Sequence, residues 1–451
     1  MKLSVVGLGK LGSPLAAVFA SKGYHVIGVD IHAEYVRLLA AGKAPVQEPG
    51  LQELIERSRE RLKATASFEE AVLGSDLTFV IVPTPSDKNG VFTNKYVIAA
   101  VQEIGKALRK KVGYHVVNIT STVMPGATGG EIRDALEKSS GRHVGEDVGL
   151  CYNPEFIALG SVIRDMLKPD FILLGESDSR AGDMLESVYR TSCDNNPPVR
   201  RMNLVNAEIA KISVNTYVTT KISYANMLAE ICERLPGADV NVVTSAIGLD
   251  SRIGTKYLKG AIGYGGPCFP RDNVAFAALA HRLGARADLA EATDRVNRYQ
   301  LERLVAMVKS AAPAGGCVGV IGLSYKPDTA VIEESQGVAL AAMLLKDGYQ
   351  VVVYDPLAMD AAKAVLGGQV VAAESAEACV RRADVVVIMT PWPEFGLLPA
   401  DAFARTWRKK VVIDCWRMLP VEGIGAVAEL RHLGAGGDVA GEPALPRAAA
   451  E

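Results

Sequence analysis

The sequence predicts an α/β protein in which two doubly wound parallel sheets are joined by one long central helix. Three observations support this fold class. Residues 1 to 120 and residues 317 to 414 both alternate short apolar runs with helical segments, the pattern of parallel sheets covered by helices. Between them, the segment from Asn203 to Arg234 contains neither proline nor glycine. At 1.5 Å per residue it predicts a single helix about 45 Å long.

Length and composition limit the possible functions. The chain has 451 residues, which suggests two to three domains. Its charged content is 22% and its formal net charge is −2, so the sequence indicates no general affinity for nucleic acid or acidic membranes. The seven cysteines include no Cys-x-x-Cys pair, and no apolar run reaches the roughly 18 residues of a membrane helix. We therefore expect a cytoplasmic protein with no metal site, no nucleic-acid partner and no membrane partner.

A dinucleotide-binding fingerprint opens the chain. The apolar run Leu3 to Val6 leads into Gly7-Leu8-Gly9-Lys10-Leu11-Gly12, a helical segment covers Ser13 to Lys22, and a second apolar run, His25 to Val29, ends in Asp30. The glycines allow a tight turn, close approach of a pyrophosphate and close helix packing. Asp30 is placed to bind a ribose hydroxyl and to repel a 2′-phosphate, which favours NAD over NADP. A glycine hexad alone suits an ordinary turn equally well, but this context predicts a Rossmann-like NAD domain.

Two further apolar runs of this domain end in polar loops. Leu77 to Val82 leads into Pro83-Thr84-Pro85, and His115 to Ile119 leads into a loop that contains Ser121 and Thr122. Loops at the carboxyl ends of parallel strands form the ligand crevice of a doubly wound sheet. The two hydroxyl residues therefore either bind a ligand or cap the helix that follows.

Three other polar residues are candidates for the site. Glu155 lies in a third loop, Cys151 to Phe156, although an isolated loop glutamate is normally just solvated. Lys211 and Asn215 are four residues apart in the long predicted helix, so both project from one face. A solvated lysine is the ordinary alternative for Lys211. A helix of this length often forms an interdomain spine or a dimer core, so we expect a homodimer or a higher homo-oligomer.

One cysteine stands out from the other six. Cys268 follows a run that contains four glycines between Gly260 and Gly266, so that a ligand can approach the backbone beside it. If Asp272 to Ala280 is helical, Cys268 lies at the start of that helix, where the helix dipole favours the thiolate. The pattern predicts a nucleophile. The alternative is an inert buried cysteine beside a glycine turn.

The last third of the chain repeats the order of the first without its complete fingerprint. Only Gly319 and Gly322 remain of the hexad, so a second dinucleotide is not expected. Lys326 and Arg417 are candidates to clamp the phosphates of a nucleotide-linked substrate. Strands are predicted at 317–322, 351–354, 385–389 and 411–413, with a helix at 335–346.

These segments define the predicted domains. The tail from Gly434 is rich in alanine, glycine and proline and is predicted to be disordered. The predicted domains are 1–200, which binds NAD; 201–310, a central helical domain with the cysteine loop and the dimer interface; 311–436, a second Rossmann-like domain for a nucleotide-linked substrate; and 437–451, the disordered tail.

Taken together, these motifs resemble the UDP-glucose/GDP-mannose dehydrogenase family over about residues 1 to 420. The resemblance depends on many short matches in one order rather than on a single motif. The matching segments are Gly7 to Gly12 with Asp30, Glu48-Pro49-Gly50-Leu51, Val82 to Pro85, Ser121-Thr122-Val123, Asn153-Pro154-Glu155-Phe156, Lys211 with Asn215, Gly265-Gly266-Pro267-Cys268 with Asp272, and Gly322 to Pro327.

The resemblance implies a four-electron oxidation of a sugar 6-hydroxymethyl group to a carboxylate, with two NAD per turnover. Lys211 and Asp272 would assist proton removal in the first oxidation. Cys268 would then add to the aldehyde, and the thiohemiacetal would be oxidised to a thioester that water hydrolyses, with Glu155 as general base. Thr122 and Asn215 would be supporting hydrogen-bond partners.

The resemblance also implies two sets of binding residues. The substrate would be a sugar nucleotide, and Arg252 would reach the substrate of a neighbouring subunit. The cofactor set is Gly7, Gly9, Lys10, Leu11, Gly12, Asp30, Pro83, Thr84, Ser121 and Thr122. The substrate set is Glu155, Phe156, Lys211, Asn215, Arg252, Tyr257, Lys259, Gly265, Tyr325 and Lys326. Within the substrate, Lys259 and Lys326 would bind the phosphates, and Tyr257 and Tyr264 would lie beside the nucleoside.

Several positions depart from the family pattern. Leu159 stands where a second glutamate is usual, Glu333 stands where an arginine is usual, and Tyr35 replaces a frequent lysine or arginine. Pro267 stands before the cysteine, where members acting on UDP-N-acetyl-hexosamines usually have histidine, so UDP-glucose is the expected substrate. GDP-mannose or a UDP-N-acetyl-hexosamine is the alternative substrate, and a non-catalytic nucleotide-sugar-binding subunit is the alternative class. A two-electron 3-hydroxyacid dehydrogenase would have no use for Cys268.

Overall fold

The computed structural model describes residues 1–405 and 408–437. The chain forms two compact units. Unit 1 contains residues 1–214 and 275–286, and unit 2 contains residues 215–274 and the chain from 287 onward. Residues 201–310, which the sequence predicted as a central domain, are thus divided between the two units.

Unit 1 is built on an eight-stranded sheet. Its strands are β1 Lys2–Val6, β2 His25–Val29, β3 Leu62–Thr65, β4 Leu77–Val80, β5 His115–Ile119, β6 Val148–Tyr152, β7 Ile172–Glu176 and β8 Val199–Asn203. They lie in the order β3-β2-β1-β4-β5-β6-β7-β8. Neighbours are parallel except for β6 and β7, which are antiparallel. The predicted loop Cys151 to Phe156 is therefore wrong at its start, because Cys151 and Tyr152 end β6.

Helices cover both faces of this sheet. The near-continuous apolar strands are typical of a parallel sheet that is buried on two sides. Leu3 and Phe79 pack with Phe19 on one face, and Val6 packs with Ile104 on the other. The helices are α1 Gly12–Ser21, α2 Ala33–Ala40, α3 Leu51–Arg57, α4 Phe68–Leu73, α5 Lys95–Leu108, α6 Arg133–Ser140, α7 Val162–Leu167 and α8 Ser179–Ser192, and a π-helical turn, Thr128–Ile132, precedes α6.

Unit 2 contains a six-stranded parallel sheet. Its strands are β9 Cys317–Ile321, β10 Gln350–Tyr354, β11 Val371–Ala372, β12 Val385–Ile388, β13 Lys410–Asp414 and β14 Ala428–His432. Their order is β11-β10-β9-β12-β13-β14. The two sheets, parallel apart from the β6–β7 pair, and the long helix that follows β8 confirm the predicted fold class.

The remaining helices follow β8 in the chain, and the long predicted helix is the first of them. The helix predicted from Asn203 to Arg234 is α9, Leu204–Glu233, with 30 residues. Cys268 was predicted to precede a helix, and α11 begins at the next residue. These helices are α9 Leu204–Glu233, α10 Val240–Gly248, α11 Phe269–Arg282, α12 Asp288–Ala311, α13 Gln336–Lys346, α14 Met359–Leu366, α15 Ala376–Arg382 and α16 Val421–Val427, and short 3₁₀ turns lie at Gly367–Gln369, Pro393–Leu397 and Ala400–Phe403.

The glycine turn of unit 1 has a counterpart in unit 2 that the sequence did not reveal. A Cβ on Gly12 would lie 1.7 Å from the carbonyl oxygen of Gly7, and a Cβ on Gly337 would lie 2.2 Å from that of Gly322. Gly337 is therefore equivalent to Gly12. It follows Gly322 by fifteen positions, whereas Gly12 follows Gly7 by five. The second turn is thus a much longer loop.

The start of the predicted disordered tail is ordered. Ala435 pairs with Asp239, and the Gly436 N–H donates to the Ala238 carbonyl. Residues 438–451, most of the predicted tail, lie outside the described part of the chain. Among the residues that are described, no helix is long and apolar enough to cross a membrane. Within the same residues, no group of three or more His, Cys, Asp or Glu side chains is arranged to hold a metal ion.

Candidate active site

The glycine turn of unit 1 leaves one side open. Gly7 has φ +98°, and a Cβ there would lie 2.2 Å from the Ile81 carbonyl oxygen. Gly7 and Gly12 are thus required by the turn itself. A Cβ on Gly9 would meet nothing within 4 Å. Gly9 therefore faces open space at the start of α1, where the helix dipole favours a pyrophosphate. Lys10 is exposed at this turn and Leu11 precedes the helix.

Asp30 ties this turn to the end of β2. Its carboxylate accepts the Leu8 N–H at 2.6 Å and the His32 N–H at 2.7 Å. Two of the roughly four acceptor positions of a carboxylate are thus used within the protein. Asp30 is half-buried and retains capacity to accept from a ribose hydroxyl. Its fixed negative charge opposes a 2′-phosphate.

The acid in the equivalent position of unit 2 is enclosed. Asp355, at the end of β10, is 1% exposed. Its carboxylate accepts from the N–H groups of Leu323 and Ser324 and from the Trp392 indole at 3.1 Å. Asp30 thus keeps an open side that Asp355 lacks. The two sheets present different binding surfaces.

Hydroxyl groups link the two loops beside the glycine turn. Ser121 Oγ accepts from the Val82 N–H at 2.8 Å and donates to the Val82 carbonyl at 2.7 Å. Thr84 donates to the Thr122 carbonyl at 2.7 Å. The sequence offered two roles for Ser121, ligand binding or helix capping, and the structure shows a third, which is to hold two loops together. Pro83 lies exposed between them.

Glu155 and Lys211 lie together in unit 1. Lys211 Nζ donates to the Glu155 carbonyl at 2.7 Å and lies 4.6 Å from the centre of the Phe156 ring. Burial raises the pKa of Glu155 to about 7, whereas the Tyr189 hydroxyl and the Lys211 ammonium act in the opposite sense. A carboxyl group with this pKa can take up and release a proton near neutrality. Lys211 is 6% exposed, so the solvated alternative is wrong.

A second polar cluster lies in unit 2 at the start of α11. Asp272 is 1% exposed, and its carboxylate accepts from Asn215 Nδ2 at 2.6 Å and from Arg271 at 3.2 Å. The Asp272 N–H donates to the Cys268 carbonyl at 2.8 Å, so Cys268 occupies the first position before the helix. All seven cysteines lie in the described residues, and Cys268 alone is exposed. Cys268 is thus not buried, contrary to the alternative prediction.

Two asparagines that the sequence did not single out hold the cysteine loop. Asn226 accepts from the Ala261 N–H at 2.9 Å and donates to the Ile262 carbonyl at 2.9 Å. Asn297 accepts from the Tyr264 N–H at 2.7 Å and donates to the Tyr264 carbonyl at 3.0 Å. Each side chain pairs with the loop backbone as a neighbouring strand would. The only sequence feature that could have indicated Asn226 is that it lies on the same side of the helix as Lys211.

The glycines before Cys268 pack against the long loop of unit 2. A Cβ on Gly265 would lie 2.2 Å from the Glu334 carbonyl oxygen, and one on Gly266 would lie 2.5 Å from the Tyr325 ring. The Gly266 N–H donates to the Glu333 carbonyl at 3.0 Å. The extended loop between Gly322 and Gly337 therefore positions the cysteine loop, and Lys326 lies half-buried within it.

The residues of unit 2 that were predicted to bind the substrate have different surroundings. Lys259 Nζ lies 5.6 Å from the Trp416 ring centre. Arg252 is exposed and pairs with Asp250. Arg417 forms two bonds to Asp239, at 2.8 and 2.7 Å, and also donates to the Leu433 carbonyl. The prediction that Arg417 clamps phosphates is thus wrong, because its guanidinium secures the C-terminal segment. Tyr257, which was expected beside the nucleoside, is exposed with φ +64°.

Comparison with known proteins matches three successive parts of the chain to one family. Residues 1–193 match the NAD binding domain of the UDP-glucose/GDP-mannose dehydrogenase family, residues 205–299 its central domain and residues 319–420 its UDP binding domain. The chain belongs to this family. The predicted class of activity, NAD-dependent oxidation of a nucleotide sugar at C6, is thereby confirmed.

Relatives within the family match nearly the whole chain. A UDP-glucose 6-dehydrogenase of Haloferax volcanii is 37% identical over 423 residues, covering 93% of this chain and 97% of that protein. A GDP-mannose 6-dehydrogenase of Pseudomonas aeruginosa is 34% identical over 359 residues, covering 79% and 81%. The structure of a UDP-glucose dehydrogenase from Pyrobaculum islandicum aligns with TM-score 0.87 and 36% identity, covering 96% of this chain and 98% of that one.

The positions that depart from the family pattern are structurally accommodated. Tyr35 stacks on His32 with ring centres 4.6 Å apart. Leu159 packs against the core of unit 1. Glu333 contributes its backbone carbonyl to the cysteine loop. Each position therefore has a structural role in this dehydrogenase.

Proposed function

We propose that the protein oxidises UDP-glucose to UDP-glucuronate with two NAD per turnover. The observation that carries the proposal is the single exposed cysteine, Cys268, fixed at the start of α11 one turn from the buried Asp272–Asn215 pair. An alcohol dehydrogenase that stops at the aldehyde needs no thiol. A thiol allows the aldehyde to remain covalently bound until it is oxidised again.

The cofactor side of the site fits NAD. Gly9 leaves the backbone open for a pyrophosphate, and Asp30 has acceptor capacity for a ribose hydroxyl. Thr84 and Ser121 hold the neighbouring loops in place. NAD, when bound, accepts a hydride in each of the two oxidations.

Different side chains carry out the proton-transfer steps and the covalent step. In the first oxidation, Lys211 and Asp272 assist loss of the C6 hydroxyl proton, and Asn215 holds Asp272 in place. Cys268 adds to the resulting aldehyde, forming a C–S bond. Loss of hydride and proton from this thiohemiacetal gives a thioester. Water then attacks the carbonyl carbon, and one of its protons passes to Glu155. The C–S bond breaks to release the Cys268 thiolate, and the carboxylic acid product loses its remaining proton to solvent.

Sugar-nucleotide recognition is proposed for side chains of unit 2. Lys259 and Lys326 supply positive charge for the two phosphates, and Tyr264 and Tyr325 supply aromatic surface for the nucleoside. Pro267 before the cysteine favours UDP-glucose over UDP-N-acetyl sugars. GDP-mannose is the competing substrate to include in the assay.

We also propose a homodimer built on α9. Tyr217, Tyr224 and Ile231 are exposed by 64%, 48% and 46% and follow one another at intervals of seven residues. Seven residues are nearly two helical turns, so these side chains form one apolar stripe. A second copy of the same helix is the occupant that fits it. Sedimentation analysis of the wild type and of Tyr224→Glu would test this, since a dimer should dissociate when charge enters the stripe.

A cytoplasmic location is part of the proposal. The six cysteines other than Cys268 are not joined in disulfides. This is typical of proteins in a reducing compartment.

The decisive experiment measures NADH formed per mole of sugar nucleotide. UDP-glucose, GDP-mannose and UDP-N-acetyl-hexosamines are compared for the intact protein and for Cys268→Ala. A ratio near two with UDP-glucose that is lost in the variant supports the proposal. NADH formed only from another sugar reassigns the substrate, and tight binding without NADH from any sugar would identify a binding subunit.

A further inference from the structure

Glu208 is a buried carboxylate that the proposed chemistry does not use. It lies on α9 and is 0% exposed. Among the residues that the structure describes it forms no ion pair, although burial of an unpaired charge is costly. Its two oxygens accept instead from the backbone N–H groups of Gly126, at 2.6 Å, and Thr128, at 2.7 Å.

The Thr128 N–H belongs to the first residue of a helix that follows the Thr122 loop, and the Gly126 N–H lies two residues before it. Thr128–Ile132 is a π-helical turn that runs into α6. The first N–H groups of a helix have no partner within the helix, and an anion is favoured there by the helix dipole. Glu208, which lies on α9, therefore caps the start of the Thr128–Ile132 turn. Ile132 donates to the Ala127 carbonyl across five residues, so this first turn is wound more loosely than an α-helix.

This cap fixes one end of the short loop that contains Thr122. The other end is held by Thr84, which donates to the Thr122 carbonyl, and by Ser121. Gly126 has φ +93°, a conformation that glycine adopts readily. Its N–H is thereby directed at Glu208, and the segment from Thr122 to Gly126 is fastened at both ends.

The same face of α9 also carries Lys211. Glu208 and Lys211 are three residues apart, so they are neighbours on the helix surface. Lys211 binds the Glu155 carbonyl. One rigid helix therefore contacts the Thr122 loop through Glu208 and the Glu155 loop through Lys211.

We propose that Glu208 is a positioning residue that fixes Thr122 relative to Lys211 and Glu155 during the oxidation. The inference deepens the proposed function and rests on it for its catalytic part. The catalytic part takes Thr122 as a hydrogen-bond partner of the reactants, as the family resemblance implies, and Glu208 acts only through the loop. A misplacement of about 1 Å at a reacting group costs up to about a hundredfold in rate.

A double-mutant cycle tests this coupling. Glu208→Gln replaces one accepting oxygen by an NH2 group, so that a side-chain N–H donor faces a backbone N–H donor. We expect kcat to fall by about tenfold to a hundredfold, with less than a threefold change in the KM for NAD. The variant Thr122→Ala removes the positioned group. The double variant should be no slower than the slower single variant, because both changes remove the same contribution.

Glu48 provides a matched control. It is also buried and accepts two backbone N–H groups, from Gly160 at 2.9 Å and Val162 at 2.7 Å, but it does not hold the Thr122 loop. The effects of Glu48→Gln and Thr122→Ala should multiply. Multiplicative effects for Glu208→Gln and Thr122→Ala as well would overturn the inference. So would a lower Tm for Glu208→Gln with unchanged kcat.

Amide hydrogen exchange separates this inference from the proposed function. Glu208→Gln should speed exchange in the peptide covering 122–132, whereas Glu48→Gln should not. Unchanged exchange refutes the anchoring even if the enzyme is active. Faster exchange in a protein that forms no NADH supports the anchoring while the proposed function fails. If Glu208→Gln does not fold, Glu208→Asp keeps the charge with a shorter reach, and it should give a smaller effect of the same kind on kcat and exchange.

Discussion

The pKa of Glu155 leads to a prediction about the pH dependence of thioester hydrolysis. Burial raises this pKa to about 7. A general base must be ionised, and a group with this pKa is about one-tenth ionised at pH 6 and about nine-tenths ionised at pH 8. The rate of hydrolysis should therefore rise about tenfold between these pH values. Glu155→Gln should abolish both the step and its pH dependence.

The substitution Tyr189→Phe tests whether the pKa of Glu155 sets this pH dependence. The Tyr189 hydroxyl lies 3.2 Å from Glu155 Oε1 and lowers the pKa of Glu155. Hydrogen bonds to charged groups contribute about 1.5–3 kcal/mol, and 1.36 kcal/mol corresponds to a tenfold change in ionisation. Because this hydroxyl also donates to Asn153, we expect the midpoint to move upward by roughly one pH unit. The rate at pH 7 should then fall about fivefold and recover at pH 9.

The assay is single-turnover release of the carboxylate from pH 5.5 to 9, followed by rapid quenching. Tyr114→Phe is the matched control, because the Tyr114 hydroxyl also donates to a carboxylate, Asp178, at 2.8 Å, but lies outside the site. It should leave the profile unchanged. An unmoved midpoint in Tyr189→Phe, or a normal pH profile in Glu155→Gln, would refute the reasoning.

Three further predictions concern the cysteine and its surroundings. Iodoacetamide should modify Cys268 first among the seven cysteines, because it alone is exposed; mass spectrometry of peptides checks this, and prior labelling of another cysteine would contradict it. Gly12→Ala should prevent a stable NAD domain because its Cβ would lie 1.7 Å from a carbonyl oxygen, whereas Gly9→Ala should weaken NAD binding in calorimetry with little change in Tm. Equal losses of Tm would refute this distinction. Asn297→Ala leaves the buried Tyr264 N–H without its acceptor and should cost about 1–3 kcal/mol in urea unfolding while raising the alkylation rate of Cys268. An unchanged alkylation rate would show that Asn297 does not hold the loop.

The sequence predicted those parts of the site that depend on local chemistry. The Gly7 to Gly12 turn, the following helix and Asp30 are adjacent in the chain, and each has its own stereochemical reason. The position of Cys268 before α11 likewise followed from a short pattern. The long helix was predicted within one residue at each end because it lacks any residue that would break it.

The parts that were missed depend on distant partners. Asn297 binds a loop 33 residues earlier, and Arg417 binds Asp239 across 178 positions. No local pattern indicates such pairs, so Arg417 was assigned to phosphate. Gly337 was missed for a related reason, because ten additional residues separate it from its partner glycine compared with the first domain. The elevated pKa of Glu155 arises from burial, which an isolated loop glutamate does not reveal.

The contacts made by α9 also restrict insertions and deletions between positions 208 and 215. Glu208, Lys211 and Asn215 bind partners from three different parts of the chain. Each residue added to a helix rotates all that follow by about 100°. A point substitution thus alters one contact, whereas a single inserted or deleted codon between positions 208 and 215 would turn Asn215 away from Asp272 or Glu208 away from its loop. Variation between positions 208 and 215 should therefore consist of replacements rather than insertions or deletions.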